Sequence, residues 1–172
     1  QQVQGMCNKI KEDLRLYPSI EDYKSEIIMA QYLSDEEILD LHYTGDCFVS
    51  PSYGEAWSVP TQDAIALGKS VVCSNTGGMK DMMMSTNWLS SHPVMVRETP
   101  ICGQKDTFEN LFTGKDTWSS VDINDLRRCM REAYAIRNLD YTVKNKKEAA
   151  ALMTQNYSYT VIGNLIKSLL GI

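Results

Sequence analysis

Apolar residues recur along this chain in two rhythms, and the rhythms alternate. Val3, Met6, Cys7, Ile10 and Leu14 fall at helical spacing, which predicts a helix over residues 3 to 16, ended by Tyr17-Pro18-Ser19. Lys24 to Gln31 is a short run with an apolar centre, read as a buried strand. Ser34 with Glu37 three residues on forms a capping box, so a second helix starts there. Ile38, Leu39, Leu41 and His42 continue that helix, and Gly45 stands where a C-terminal glycine belongs. Cys47 to Ser50 reads as a second strand, followed at once by a loop from Pro51 to Trp57. A helix from about Pro60 to Leu67, a third strand at Ser70 to Cys73 and a Thr76-Gly77-Gly78 turn into a short helix come next.

Residues 86 to 120 show no rhythm and are rich in Pro, Gly, Ser and Thr, so an irregular stretch is expected. From Asp122 to Asn138 a helix returns, with Leu126, Met130, Ala133 and Tyr134 as its apolar face. Two further helical stretches follow, about 140 to 154 and 158 to 170. Short apolar strands alternating with helices are the βαβ pattern of a parallel α/β sheet. In such sheets ligands bind at the carboxyl ends of the strands.

Composition adds limits. A chain of 172 residues, 43% hydrophobic and 23% charged, is one domain by default. A net charge of −5 argues against a nucleic-acid partner and against an anionic membrane surface. No apolar run is long enough for a membrane span, and none reads as a signal peptide. Cys7, Cys47, Cys73, Cys102 and Cys129 are scattered and form no CxxC pair, so reduced thiols and a cytoplasmic location are expected, and Asn156-Tyr157-Ser158 is then a chance sequon. His42 and His92, one on a helix and one in a loop, have no partner at ligand spacing, so no metal is expected. Met79 and Met82 to Met84 read as core or interface, Trp118 as packing, and Trp57 either as packing or as a cover for a ligand. The first residue is Gln1, inside an apparent helix, so the chain reads as part of a longer protein.

Two features compete for chemistry. Gly68-Lys69-Ser70 looks like the end of a phosphate-binding loop, but such a loop follows a strand and opens a helix. Here a helix precedes it, a strand follows, and Asp63 occupies the first glycine position. Gly68 is better explained as a helix C-cap. The second feature is Glu55, in the loop after the second strand, with Asp63 in the first turn of the next helix, the two expected to converge on one crevice at the ligand edge of the sheet. Between them Ala56, Trp57, Ser58 and Val59 bring open backbone amides to a helix N-terminus, suited to a diphosphate or to sugar hydroxyls. A carboxylate there suits a vicinal diol. Without a ligand, the same acids are a solvated loop Glu and favourable helix-dipole chemistry.

The stretch from Asp46 to Gly78, DCFVSPSYGEAWSVPTQDAIALGKSVVCSNTGG, resembles the nucleotide-binding domain of GT-B glycosyltransferases of the retaining group called family 4. The shared pattern is a strand, Pro-Ser, an acid, seven residues, a second acid, then Gly-Lys, a strand and Gly-Gly; it is carried by Pro51, Ser52, Gly54, Glu55, Trp57, Pro60, Asp63, Ala64, Gly68, Lys69, Val72, Gly77 and Gly78. The stretch YLSDEEILDLHYTGD and the end YSYTVIGNLI are similar to the family more loosely. The resemblance implies an α/β, Rossmann-like parallel sheet with flanking helices, the C-terminal half of a GT-B enzyme. Residues 1–172 would then be a single, partial donor domain. The acceptor domain, the first βα units and the basic residues that hold the diphosphate would precede Gln1.

By the same resemblance Glu55 holds the donor sugar in the catalytic role and Asp63 holds the ribose. Gly54 and Ala56 to Val59 approach sugar and phosphates, and Ala30 and Gln31 lie near the base. The implied substrates are a nucleotide diphosphate-sugar and an unidentified acceptor, with no metal and no cofactor. Three departures stand out: the second acid is Asp63 rather than Glu, Ala56 and Ser58 replace two glycines, and Gly78-Met79-Lys80-Asp81 replaces Gly-x-Pro-Glu. They leave open a non-catalytic module that binds a nucleotide-sugar or a partner. A sugar-nucleotide epimerase would need further acids and a His at the cleft.

Overall fold

Strand Cys47–Ser50 (β1) pairs in parallel with Ser70–Ser74 (β2), and β2 pairs in parallel with Ser91–Val94 (β3). The order is β1-β2-β3, with Val49 opposite Val72 and Ser74 opposite Val94. The computed structural model describes residues 2–101, 112 and 115–172. The α/β reading is therefore correct, and this is a Rossmann-like parallel sheet with helices on its faces.

Every residue of β2 is buried, as expected of a central parallel strand covered on both sides. Its side chains alternate between two clusters. Val71 and Cys73 face Ala64, Ile65, Met79, Met82, Met83, Ala149 and Met153. Val72 faces Val94, Cys129 and Ala133. The first cluster is built by helices Val59–Ala66 (α3), Gly77–Ser85 (α4) and Asp140–Tyr157 (α6), and the second by Ile123–Ile136 (α5). Tyr159–Leu170 (α7) follows α6. Three methionines thus fill core, as expected, while Met84 is exposed. On α5 the face turned inward is Leu126, Cys129 and Ala133; Met130 and Tyr134, read as apolar face, are exposed.

The irregular reading of 86 to 120 is wrong in part. Besides β3, Val96–Pro100 (β4) and Thr117–Val121 (β5) form an antiparallel pair. Pro93 and Pro100 concealed these strands, because proline lacks the ladder donor and reads as a breaker. His92 accordingly lies in β3, not in a loop. Cys102 lies outside the described residues.

The chain divides into two units, Gln1–Glu37 and Ile38–Ile172. The first holds helix Gln2–Leu14 (α1), one turn of 3-10 helix at Ile20–Asp22 and an irregular tail. Its apolar stripe is not buried: Val3, Met6 and Ile10 are each more than half exposed. What ties the unit together is mostly polar, with one ring contact, Tyr17 edge-on to Tyr23 at 4.8 Å. Glu26 pairs with Lys11 and accepts from Gln4 Nε2 at 2.7 Å, and the Tyr23 hydroxyl donates to the Lys11 carbonyl at 2.9 Å. The expected buried strand at 24 to 31 instead has no regular secondary structure and is largely exposed, with Ile27 at 87%. A segment becomes a strand only when a neighbour completes its ladder, and no described residue pairs with it.

Helix Asp35–Thr44 (α2) starts as predicted. Ser34 N–H donates to Glu37 Oε2 at 2.8 Å, and Glu37 N–H to Ser34 Oγ at 3.3 Å. The Ser34 backbone and hydroxyl hold the Glu37 carboxyl below its ordinary range. No helix among the described residues is long and apolar enough to cross a membrane.

Candidate functional site

At the carboxyl end of β1 the chain leaves the sheet through Pro51 to Ser58 and enters α3. Three carbonyls pin this loop. Ser74 Oγ donates to the Ser52 carbonyl at 2.7 Å, Ser119 N–H to that of Tyr53 at 3.0 Å, and Gly78 N–H to that of Glu55 at 3.0 Å. The Tyr53 ring also stacks on Trp118 at 4.4 Å, which gives the packing role expected for Trp118 a definite partner. With its carbonyls turned to protein, the loop leaves the amides of Gly54, Ala56, Trp57 and Ser58 without a hydrogen-bond acceptor among the described residues.

The Gly-Gly turn is what lets the loop sit so close. A Cβ on Gly77 would lie 2.4 Å from the Glu55 oxygen, and one on Gly78 would lie 2.3 Å from the Ala56 oxygen. Both are backbone collisions, so the two glycines are required by close approach. Gly77 also has φ 52°, in the region that favours glycine.

Glu55 is exposed, and its Oε1 accepts from Ser52 Oγ at 3.1 Å. Asp63 is half-buried, one turn into α3. It lines a cavity of about 580 Å³ with Trp57, Val59, Gln62, Met153 and Tyr157. Glu55 is not among the residues lining that cavity; it stands on the pinned loop that leads to it. Trp57 packs against Tyr157 at 4.8 Å and donates from Nε1 to Gln62 Oε1 at 2.6 Å. Tyr157 and Tyr159, which share the cavity, lie some hundred residues from Asp63 and left no local signal in the sequence.

The two positions expected to be glycine behave differently. Ala56 is exposed, whereas Ser58 is buried, with its Oγ 2.8 Å from Thr61 Oγ1. Ser58 is the N-cap residue of α3, yet its hydroxyl does not cap the helix. Thr61 N–H and Gln62 N–H both donate to the Ser58 carbonyl at 3.0 Å and Pro60 has no N–H, so in that first turn the Val59 amide is left without an acceptor among the described residues. Ala30 and Gln31, expected near the base, are exposed residues of the irregular tail in the first unit.

Gly68 and Lys69 have the structural role argued for them. Gly68 has φ 70°, Gly68 N–H donates to the Ile65 carbonyl and Lys69 N–H to that of Ala64, both at 2.9 Å. That is the double bond of a Schellman C-cap. The Lys69 ammonium reaches the Tyr43 carbonyl at 3.1 Å, at the opposite end of the strands from Glu55. Among the described residues, no group of three or more His, Cys, Asp or Glu is placed to hold a metal ion.

Residues 10–89 match the family described as "Glycosyl transferases group 1". The matched segment holds β1, the pinned loop, α3, β2 and α4. No curated protein matches the chain.

Proposed function

We propose, taking the glycosyl transferase match of residues 10–89 as premise, that Ile38–Ile172 is the donor-binding part of an enzyme that moves a sugar from a nucleotide diphosphate to an acceptor. Sugar transfer is the activity of that family. To it we add the nucleotide-sugar donor, the GT-B arrangement and retention at the anomeric carbon. One observation carries it: the segment that matches contains both acids, on a loop and helix at the ligand edge of a parallel sheet.

In this reading Glu55 accepts hydrogen bonds from the sugar hydroxyls, and its Ser52 contact is exchanged for them. Asp63 accepts from the ribose diol, beside the apolar wall of Trp57 and Tyr157. The open amides of Ala56 to Ser58 and the α3 N-terminus favour the diphosphate, whose charge grows as the glycosidic bond breaks. Transfer of this kind depends on positioning and on stabilising the leaving diphosphate. The chain alone binds donor and transfers nothing, because the acceptor side of the cleft lies on another segment.

The test is calorimetric titration with UDP-glucose, GDP-mannose and ADP-glucose. One of them is expected to bind, and Glu55→Ala to weaken it by about tenfold, the loss of one or two charge-assisted hydrogen bonds. If none binds, a non-catalytic module that binds a partner replaces this reading.

A further inference from the structure

A second concave site lies at the amino end of β3, between the turn that leads into that strand, the end of α5 and the start of α6. It encloses about 240 Å³. Its walls carry a set of polar groups that the fold leaves unused. Thr142 is 3% exposed, and its Oγ1 has no hydrogen-bond partner. The Ser90 Oγ is likewise buried and unpartnered. Both atoms belong to residues that line this cavity, the third such buried hydroxyl among the described residues being Ser70 Oγ outside it, and a buried polar group without a partner is costly. His92, 8% exposed, is the third group, and burial lowers its pKa, so it presents a neutral imidazole with one donor and one acceptor. The charges that face it are Glu132, Arg128 and Lys146.

The remaining walls decide the ligand class. Asn145 brings an amide, and Glu132 a carboxylate whose Oε2 is held by Arg128 at 2.8 Å. Arg128 also pairs with Asp125, so its charge is already met within the protein. Among the described residues no Lys or Arg lines the cavity, which disfavours an anion. Trp88 and Tyr141 supply flat apolar faces. Aromatic faces with neutral donors and acceptors suit a ring with polar edges and an apolar face. The volume is below that of a drug-sized pocket, room for a single ring. The turn that carries Trp88 and Ser90 is held in an unfavourable backbone form, with φ 59° and 57° at those residues.

We infer that this cavity binds one neutral polyhydroxylated ring, a monosaccharide unit, separately from the Glu55 and Asp63 site. The test uses D-glucose, followed by NMR at the His92 imidazole and the Trp88 indole. Saturable shifts are expected in the millimolar range, weak because few atoms make contact. Thr142→Val replaces a hydroxyl that makes no bond within the protein with a methyl of the same shape, so it folds, and it should weaken binding about tenfold. Glu132→Gln, at a surface side chain, should weaken it less, and Glu55→Ala should change nothing. Inorganic phosphate should give no shift. The inference is overturned by the absence of a saturable glucose shift, by unchanged binding in both Thr142→Val and Glu132→Gln, by loss of the shift in Glu55→Ala, or by preference for phosphate.

Discussion

Replacing Gly78 with alanine isolates the packing that places Glu55. The backbone of Gly78 does not have positive φ, so alanine adds no conformational strain there. Its Cβ would stand 2.3 Å from the Ala56 oxygen and 2.9 Å from both the Ala56 carbonyl carbon and the Trp57 Cα. All three are backbone atoms, so no side chain can swing aside. Ordinary contact begins at 3.4 Å, so the loop or α4 must retreat by about 1 Å. Overpacking of this kind costs about 1 to 3 kcal/mol. The same retreat stretches the bond from Gly78 N–H to the Glu55 carbonyl, worth about 1 kcal/mol. The sum is about 2 to 4 kcal/mol, and at roughly 2 to 4 °C per kcal/mol for this size the midpoint falls by about 4 to 16 °C. The control is Gly163→Ala on α7, where a Cβ meets nothing within 4 Å and the midpoint should rise, since alanine in a helix interior is favoured by about 1 kcal/mol. Thermal unfolding followed by circular dichroism reads both. A Gly78→Ala midpoint within about 1 °C of the parent, by that same scale, would refute the close-approach argument.

Three further outcomes follow from the same geometry. Asp122 caps α5, accepting from the amides of Asn124 at 2.9 Å and Asp125 at 3.2 Å, so Asp122→Ala should cost about 1 kcal/mol in urea unfolding. The His92 pKa is lowered by burial, so its neutral form favours the fold; stability should fall as pH drops below the unfolded value of about 6.5, and His92→Gln should flatten that slope. Burial pushes the Cys73 and Cys47 thiols both up to about 11, so the unfolded chain releases those protons first; stability should decline above pH ~9, and Cys73→Ala should remove the share due to Cys73, about 2 to 3 kcal/mol at pH ~11.

Local signals carried the parallel sheet and the candidate acids. The Ser34-Glu37 capping box, the Gly68 C-cap and the β1–loop–α3–β2 run were legible because each depends on neighbours in sequence. The β4–β5 pair was not, since Pro100 reads as a breaker and the ladder joins positions as far apart as Val96 and Val121; nor were the contacts of Trp118 and Ser119 with Tyr53, across more than sixty residues. The N-terminal stripe misled for a related reason. Helical spacing shows which residues share a face, but burial needs a surface to cover it, and α1 in its own unit has none. At the candidate site, the spacing of the two acids and the Gly-Gly turn was legible in sequence; the carbonyl pins and the cavity around Asp63 required three dimensions.

The division of labour between Glu55 and Asp63 is tested most directly by comparing a nucleotide diphosphate-sugar with its sugar-free nucleoside diphosphate. Binding of both is measured in the parent chain, in Glu55→Gln and in Asp63→Asn. The account predicts that Asp63→Asn weakens both ligands about tenfold, one lost charge-assisted bond, and that Glu55→Gln weakens only the one carrying the sugar. Equal affinities across all three proteins, for both ligands, would contradict it.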